Sequence, residues 1–350
     1  MAAGQRRQGR MTVREIGEYP LVHRLCQRLE HAFGIDPRVV VGAGDDAAVV
    51  EANGVPMVLT VDTQLEDIHF RRRWMPPFDL GWKAIAISLS DIAAMGARPL
   101  AALLALGLQG DEPLEFVDAF YEGAISLCQA TGTLLLGGDT TRSLNGIMVC
   151  SVALGVLSGQ AWRRKGAQIG DVLLLTGTVG DAATGLWLLE HEEATKDLQL
   201  PSEAVQHCLH RFRRPMPRTA VPDLLSNADI HAAIDISDGL VIDTERMAIN
   251  SGVTAKLYLN QLPLSASLRS IATQAGHDPS QWALTGGEDY ELLLAVPPPE
   301  AAKVCDILRQ ANIPAQVIGE VVAKEPYPVL GALPDGTHQP LFGGFQHFAP

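Results

Sequence analysis

Five apolar stretches of this chain end in aspartates flanked by small residues, and this recurrence constrains the fold more than any other feature. They are "VVVGAGDD" (Asp45, Asp46), "VPMVLTVD" (Asp62), "AIAISLSD" (Asp91), "TLLLGGD" (Asp139) and "HAAIDISD" (Asp235, Asp238). Charged residues are seldom fully buried unless paired. Two like charges about 4 Å apart repel by roughly 4 kcal/mol at an effective dielectric near 20. A fold that carries the apolar stretches inward gathers their carboxylates at one rim, where something cationic must meet them. Few Lys or Arg stand beside these positions, so the expected counter-ion is a divalent metal. Ligands that are all oxygen suit Mg2+, Mn2+ or Ca2+ rather than zinc. Mg2+ takes one or two carboxylates and completes its shell with water and substrate phosphates, so this set implies several ions and a polyphosphate substrate.

A single Asp after a strand is more often a cap or turn residue than a ligand, and Asp79 and Asp111 are assigned to capping and turns on that ground. The metal reading rests on joint occurrence. "LLGGDTTRS" and "LTGTVGD" supply small residues where backbone N–H groups can approach phosphate oxygens, and Thr60, Thr140, Thr141 and Ser237 add hydroxyls. "GGEDYELL" (286–293) reads equally as a tight turn with exposed acids or as a carboxylate, Glu288, aimed at a cationic or hydrogen-bonding part of a substrate. "RFRRPMPR" (211–218) reads as a solvated basic loop, with a phosphate-facing arginine as the alternative. "RRRWMPP" (71–77) reads as a surface segment, and the acidic run at 190–197 as a solvated helix end.

The chain has 350 residues, is 47% hydrophobic and carries a formal net charge of −13. Its length suggests two domains, and its acidity argues against a general nucleic-acid binder. No apolar run reaches the ~18 residues of a membrane span. The five cysteines lack C-x-x-C spacing and several sit in apolar runs, which points to buried, reduced thiols in the cytoplasm. Residues 13–33 read as a helix interrupted at Pro20, and residues 79–99 as a long helix opened by Asp79. Strands and helices come in runs rather than strict alternation, which favours α+β over a doubly wound parallel sheet. The expected division is a disordered tail over 1–12, a first domain over 13–157 and a second over 158–350.

"GAGDDAAV", "LTVDTQLEDIHF", "LSDIAAMGARP", "GGDTTRS", "DISDGL" and "GGEDYEL" occur in the order found in thiamine-monophosphate kinases, which the chain resembles from about residue 15 to the C-terminal "GGFQHF". That family belongs to the superfamily typified by aminoimidazole ribonucleotide synthetase. The resemblance implies a two-domain fold: an N-terminal mixed or antiparallel sheet with helices, and a C-terminal α/β sandwich. It also implies a homodimer and direct in-line transfer of the ATP γ-phosphoryl group to thiamine monophosphate, assisted by several Mg2+ ions. Carried over by position, Asp46, Thr60, Asp62, Asp91, Asp139, Asp235 and Asp238 are the metal ligands. Gly138, Asp139, Arg164 and Ser237 are the nucleotide contacts, and His69, Glu288 and Phe345 the thiamine-side contacts. No membrane or nucleic-acid partner is implied. The acceptor phosphate is already deprotonated near neutral pH, so no general base is needed and no Ser/His/Asp constellation is expected. A superfamily relative with another substrate and a non-catalytic nucleotide sensor are the competing readings; the size of the carboxylate set argues against the sensor.

Overall fold

The computed structural model describes residues 12–34 and 36–347, in two compact units. The smaller contains α1 (Val13–Ile16) and α2 (Glu18–Phe33) together with the segment from Gln346. Thr12 and Glu15 form a capping box on α1. The expected helical break falls at Gly17 rather than Pro20. Gly17 has φ +78°, whereas Pro20 lies in the first turn of α2, where no intrahelical N–H is lost. The rest of the expected 1–12 tail lies outside the described residues.

The larger unit, residues 38–345, holds two sheets. The first contains β1 (Val39–Val41), β2 (Ala48–Ala52), β3 (Val55–Leu65), β4 (Ala97–Leu108), β5 (Leu134–Arg142) and β6 (Met148–Leu157), in the order β1-β2-β3-β6-β4-β5. Only β4 and β5 run parallel. The "RVVVGAGDDAAVVE" stretch is thus two short strands, with Asp45 and Asp46 in the loop between them. α3 (Pro77–Ala94) and α4 (Leu114–Thr131) belong to the same half. Their apolar faces bury Leu80, Ile85, Leu89, Ile92, Phe120 and Leu127 with Leu104, Leu106 and Val149 of the sheet. The two helices approach closely at paired glycines. A Cβ on Gly81 would stand 1.8 Å from the Phe120 carbonyl oxygen, and one on Gly123 equally close to that of Phe78. Asp79 does not cap α3; the cap position is Pro76, and Asp79 is buried against Arg214. Ahead of α4 it is Glu112, not Asp111, whose carboxylate accepts the turn's N–H groups, from Gln109 and Gly110.

The second sheet contains β7 (Val172–Thr176), β8 (Ala232–Ile236), β9 (Thr254–Tyr258), β10 (Glu291–Val296), β11 (Ala315–Val322), β12 (Val329–Ala332) and β13 (His338–Pro340). Its order is β13-β12-β9-β11-β7-β10-β8. Its helices are α5 (Asp181–Glu190), α6 (Glu192–Thr195), α7 (Ser202–Arg213), α8 (Val221–Leu224), α9 (Leu240–Ser251), α10 (Ala266–Ala275), α11 (Pro279–Thr285) and α12 (Pro298–Gln310). Both faces are covered. Leu173, Leu175, Ile234, Ile236 and Leu293 pack with Leu240 and Met247 of α9 on one side. Leu174, Ala233, Leu292 and Leu294 pack with Val304 and Leu308 of α12 on the other. This is the α+β fold that the sequence pattern suggests, in the two-domain form with a C-terminal α/β sandwich that the resemblance implies.

The basic stretch 211–218 is not a solvated loop. Arg211 and Arg218 both pair with the fully buried Glu291, and Arg213 Nε donates to the Trp74 carbonyl at 2.7 Å. A buried carboxylate needs such partners. Nor is 71–77 merely surface. Trp74 and Met75 are buried, with the guanidinium groups of Arg71 and Arg73 4.3 and 4.6 Å from the Trp74 ring centroid.

Candidate active site

Three of the expected metal ligands converge. Asp46 comes from the β1–β2 loop, Asp91 from the C-terminal part of α3 and Asp235 from β8, and one carboxylate oxygen from each lies within 4.8 Å of the others. Each pair at that separation costs about 3.5 kcal/mol at an effective dielectric near 20. Small hydroxyls hold the carboxylates in place. Thr60 Oγ1 donates to Asp91 at 2.6 Å and Ser90 Oγ to Asp235 at 2.7 Å. Ser88 Oγ donates to Asp62 at 2.7 Å and also meets Ser151. Asp62 and Thr60 therefore line the α3 side of β3, next to the trio.

The charges leave their mark. Burial first, then the charges of Asp62, Asp235 and Asp46, hold the Asp91 carboxyl well above the ordinary carboxylate range. Asp235 is raised likewise, by burial and then by Asp46 and Asp243. Burial also raises Asp62. Asp46 Oδ2 is buried with no hydrogen-bond partner among the described residues. An orphaned carboxylate oxygen within an all-oxygen cluster fits a hard divalent cation.

The first aspartate pair is not without protein cations. Arg164 Nε donates to Asp46 Oδ1 at 2.9 Å and its backbone N–H to Asp45 Oδ1 at 3.0 Å. Burial opposes the charge on Arg164, but Asp46, Asp45 and Asp235 outweigh it and raise its pKa. Asp238 is similarly engaged, 2.7 Å from Arg246, which also pairs with Asp243. The expectation that metal alone neutralises the acidic set is corrected accordingly. Asp238 lies outside the converging trio, and so does Asp139, exposed on the edge strand β5. Its neighbour Gly138 is fixed by packing. A Cβ there would fall 1.6 Å from the Leu104 carbonyl oxygen on β4.

A second grouping forms on the β8–α9 loop. Asp243 Oδ2 accepts the N–H groups of Ser237, Asp238 and Gly239. The Ser237 carbonyl accepts from Glu288 N at 2.7 Å, and that of Asp238 from Phe345 N at 2.9 Å. Ser237, Asp238, Glu288 and Phe345 thus share one loop through the backbone. Of the open readings for "GGEDYELL", the exposed turn fails. Asp289 is fully buried, and Glu288 pairs with the buried Lys83 at 2.6 Å. His69 is turned to its own loop, its Nδ1 accepting from Leu65 N at 3.0 Å.

The "LTGTVGD" segment is not an open phosphate cradle. Asp289 accepts from Gly180 N at 2.7 Å and Ala182 N at 3.4 Å, so a protein carboxylate occupies the N-terminus of α5. One Ser/His/Asp grouping does exist, contrary to expectation. Asp181 stands between Ser265 and His207, so the hydroxyl donates to the carboxylate and not to the imidazole. It ties α5, α7 and α10 together and is no nucleophile relay.

Residues 44–157 match the family model "AIR synthase related protein, N-terminal domain", and residues 168–329 its C-terminal counterpart. The thiamine-monophosphate kinase of Bacillus subtilis is 33% identical over 309 residues, 88% of this chain and 92% of that protein. That of Salmonella typhimurium is 35% identical over 95% of this chain and 98% of its own. The chain belongs to the thiamine-monophosphate kinase family. As a member of that family it is an enzyme, a kinase. A solved structure, "AaThiL complexed with AMPPCP and TMP", superposes with a TM-score of 0.82 at 30% identity, covering 97% of this chain and 99% of that one.

Sequence reasoning passed over Ser88, Ser90, Lys83, Asp243 and Arg246. A signal existed for the first three. Lys83 is the lone cation in a largely apolar helical stretch, and Ser88 and Ser90 are small polar residues within the three positions before Asp91.

Proposed function

We propose that this kinase transfers the γ-phosphoryl group of ATP directly, in line, to the phosphate of thiamine monophosphate, giving thiamine diphosphate and ADP. The observation that carries the reading is the convergence of Asp46, Asp91 and Asp235 from three separate elements. Membership of the family supports the substrates, as does the likeness to a structure whose name gives AMPPCP and TMP. Several Mg2+ ions on Asp46, Asp91 and Asp235, with Thr60, Asp62, Asp139 and Asp238 as further ligands, would neutralise both anionic substrates where they meet.

The remaining work is positional. Thr60 and Ser90 aim their carboxylates. Arg164, anchored on Asp46, serves the nucleotide together with Gly138, Asp139 and Ser237. Glu288, His69 and Phe345 take the thiamine side, where a cationic ring gains from a carboxylate and an aromatic face. A phosphate acceptor brings its own anionic nucleophile, so no side-chain base is assigned.

A homodimer belongs to the same proposal. On the face of the first sheet away from α3, Val61, Val152 and Leu103 sit in one cross-strand row, with Leu59 beside Leu154. Val61 is 63% exposed and Leu103 42%, an apolar patch that a second copy would cover. The described residues include no helix long and apolar enough to cross a membrane, and the five cysteines are unpaired, which supports a cytoplasmic setting.

The test is ADP release coupled to a reporter, with thiamine monophosphate and Mg2+. ADP formation dependent on both is expected. Turnover only with another phosphate or amide acceptor would assign the chain to a different reaction, and ATP binding without any turnover would make it a sensor.

A further inference from the structure

Lys83 is 1% exposed and lies within α3. Its Nζ is 2.6 Å from Glu288 Oε1, donates to the Phe212 carbonyl at 3.0 Å and stands 4.1 Å from the Phe212 ring centroid. Stability alone does not call for this arrangement, because a well-packed apolar side chain usually serves a core as well as a buried ion pair does. The partner is unusual too. Glu288 has φ +68°, a left-handed conformation that is strained for a non-glycine residue and persists only when its surroundings hold it. Its side chain remains 28% exposed, so a ligand can reach the carboxylate that Lys83 grips from behind.

The same helix carries Asp91. Eight residues on from Lys83, the helical rise places it about 12 Å along the axis. One rigid element thus holds both a ligand of the carboxylate trio and the cation that orients Glu288. We propose that Lys83 is a positioning residue that aims Glu288 at the cationic ring of the acceptor and, through α3, fixes the distance from that carboxylate to the metal-binding end at Asp91. This rests on the kinase reading above and adds to it the determinant of acceptor fit. Lys83 itself touches neither substrate.

The experiment measures KM for thiamine monophosphate and for ATP, and kcat, in the wild-type chain, Lys83→Met, Lys83→Gln, Glu288→Gln and the double variant Lys83→Met/Glu288→Gln. The expected result is a rise of about tenfold or more in acceptor KM for Lys83→Met, with ATP KM unmoved. Lys83→Gln, which keeps a donor toward Glu288, is expected to recover part of that loss. The double variant is expected to be no worse than Glu288→Gln alone, because the two side chains act as one unit. An unchanged acceptor KM in folded Lys83→Met overturns the proposal. So do additive effects in the double variant, equal rises in both KM values, or loss of folded protein by circular dichroism in both Lys83 variants, which would make the lysine a structural tie only. A wild-type chain without turnover on thiamine monophosphate refutes the kinase reading and the proposal with it. Wild-type turnover with an indifferent Lys83 refutes the proposal alone.

Discussion

Ser90 Oγ donates a 2.7 Å hydrogen bond to Asp235, so the residue beside Asp91 on α3 holds the carboxylate at the end of β8. This hydroxyl is one of the ties between two halves of the larger unit that are far apart in sequence, alongside Arg164–Asp46 and Lys83–Glu288. Both residues are buried. Removing the hydroxyl leaves a carboxylate oxygen short of a donor where water is scarce, at a cost of about 1–3 kcal/mol. Ser90→Ala is expected to lower the unfolding free energy by that amount, seen as a lower denaturant midpoint at unchanged slope, and to weaken Mg2+ binding. Urea unfolding with and without Mg2+ measures both. A Ser90→Ala chain as stable as wild type would show that the bond is not formed in solution.

The cluster makes the effect of pH predictable in sign. Asp91 and Asp235 are both held well above their ordinary value of 3.8, by burial first and neighbouring carboxylates second. Without metal, the folded chain keeps protons that the unfolded chain has released, so these groups make stability fall as pH rises through and above the ordinary carboxylate range. Mg2+ competes with those protons. The rise in thermal midpoint on adding Mg2+ is therefore expected to grow with pH, and a concentration 100 times Kd stabilises by about 2.7 kcal/mol. Asp91→Asn removes one charge of the trio. It is expected to fold normally, to be at least as stable as wild type without metal, to lose most of the Mg2+-induced shift and to lose most activity. A scan of midpoint against pH, with and without Mg2+, checks each part.

Asp289 offers a pH test away from the trio. Burial pushes its carboxyl up to about 8 from an ordinary 3.8, against the pull of Arg211 and the Gly180 N–H. Between those values the folded chain binds one proton more than the unfolded chain, so this group lowers stability as pH climbs from about 4 to about 8 and contributes no slope outside that window. Asp289→Asn keeps an oxygen for Gly180 N but does not titrate. Its stability is expected to depend less steeply on pH between about 5 and 8, with the variant gaining on wild type toward the alkaline end. Equal slopes for the two chains would show that Asp289 is ionised throughout.

The fold was legible where one pattern sufficed. The long strands β3, β4 and β6 and the helices α3 and α4 announce themselves by apolar runs and by Gly132 closing α4. Part of the acidic set was legible for the same reason, since Asp46, Asp91 and Asp235 each follow an apolar run and converge, whereas Asp62 and Asp139 sit within β3 and β5 rather than at their ends. What sequence could not supply is which charges meet. Arg164 reaches Asp46 from 118 residues away and Lys83 reaches Glu288 across the two halves, and neither pairing leaves a local trace. "LTGTVGD" looked like a phosphate loop because of its glycine N–H groups, yet Gly177 N donates to the Pro314 carbonyl and Gly180 N to Asp289, whose approach is set by β10. Asp79 resembled a cap because its Arg214 partner is likewise remote. Local chemistry is written in the sequence, but the identity of a long-range partner emerges only after the sheets are assembled.

The outer face of the first sheet is apolar and open. Val61 on β3, Val152 on β6 and Leu103 on β4 are direct cross-strand neighbours, and Val61 is 63% exposed. β3 alternates, so Thr60 and Asp62 point to the α3 side while Val61 points away from it. A charge placed at Val61 therefore reaches the apolar face without entering the acidic cluster. A second copy seated there would have to bury that charge without a partner, at a cost of several kcal/mol. Val61→Glu is expected to shift the chain from twice its own mass to its single mass in light scattering, and to leave its circular dichroism unchanged. A wild-type chain that already runs at the single mass at micromolar concentration, or a Val61→Glu chain that stays paired, would place the dimer contact elsewhere or remove it.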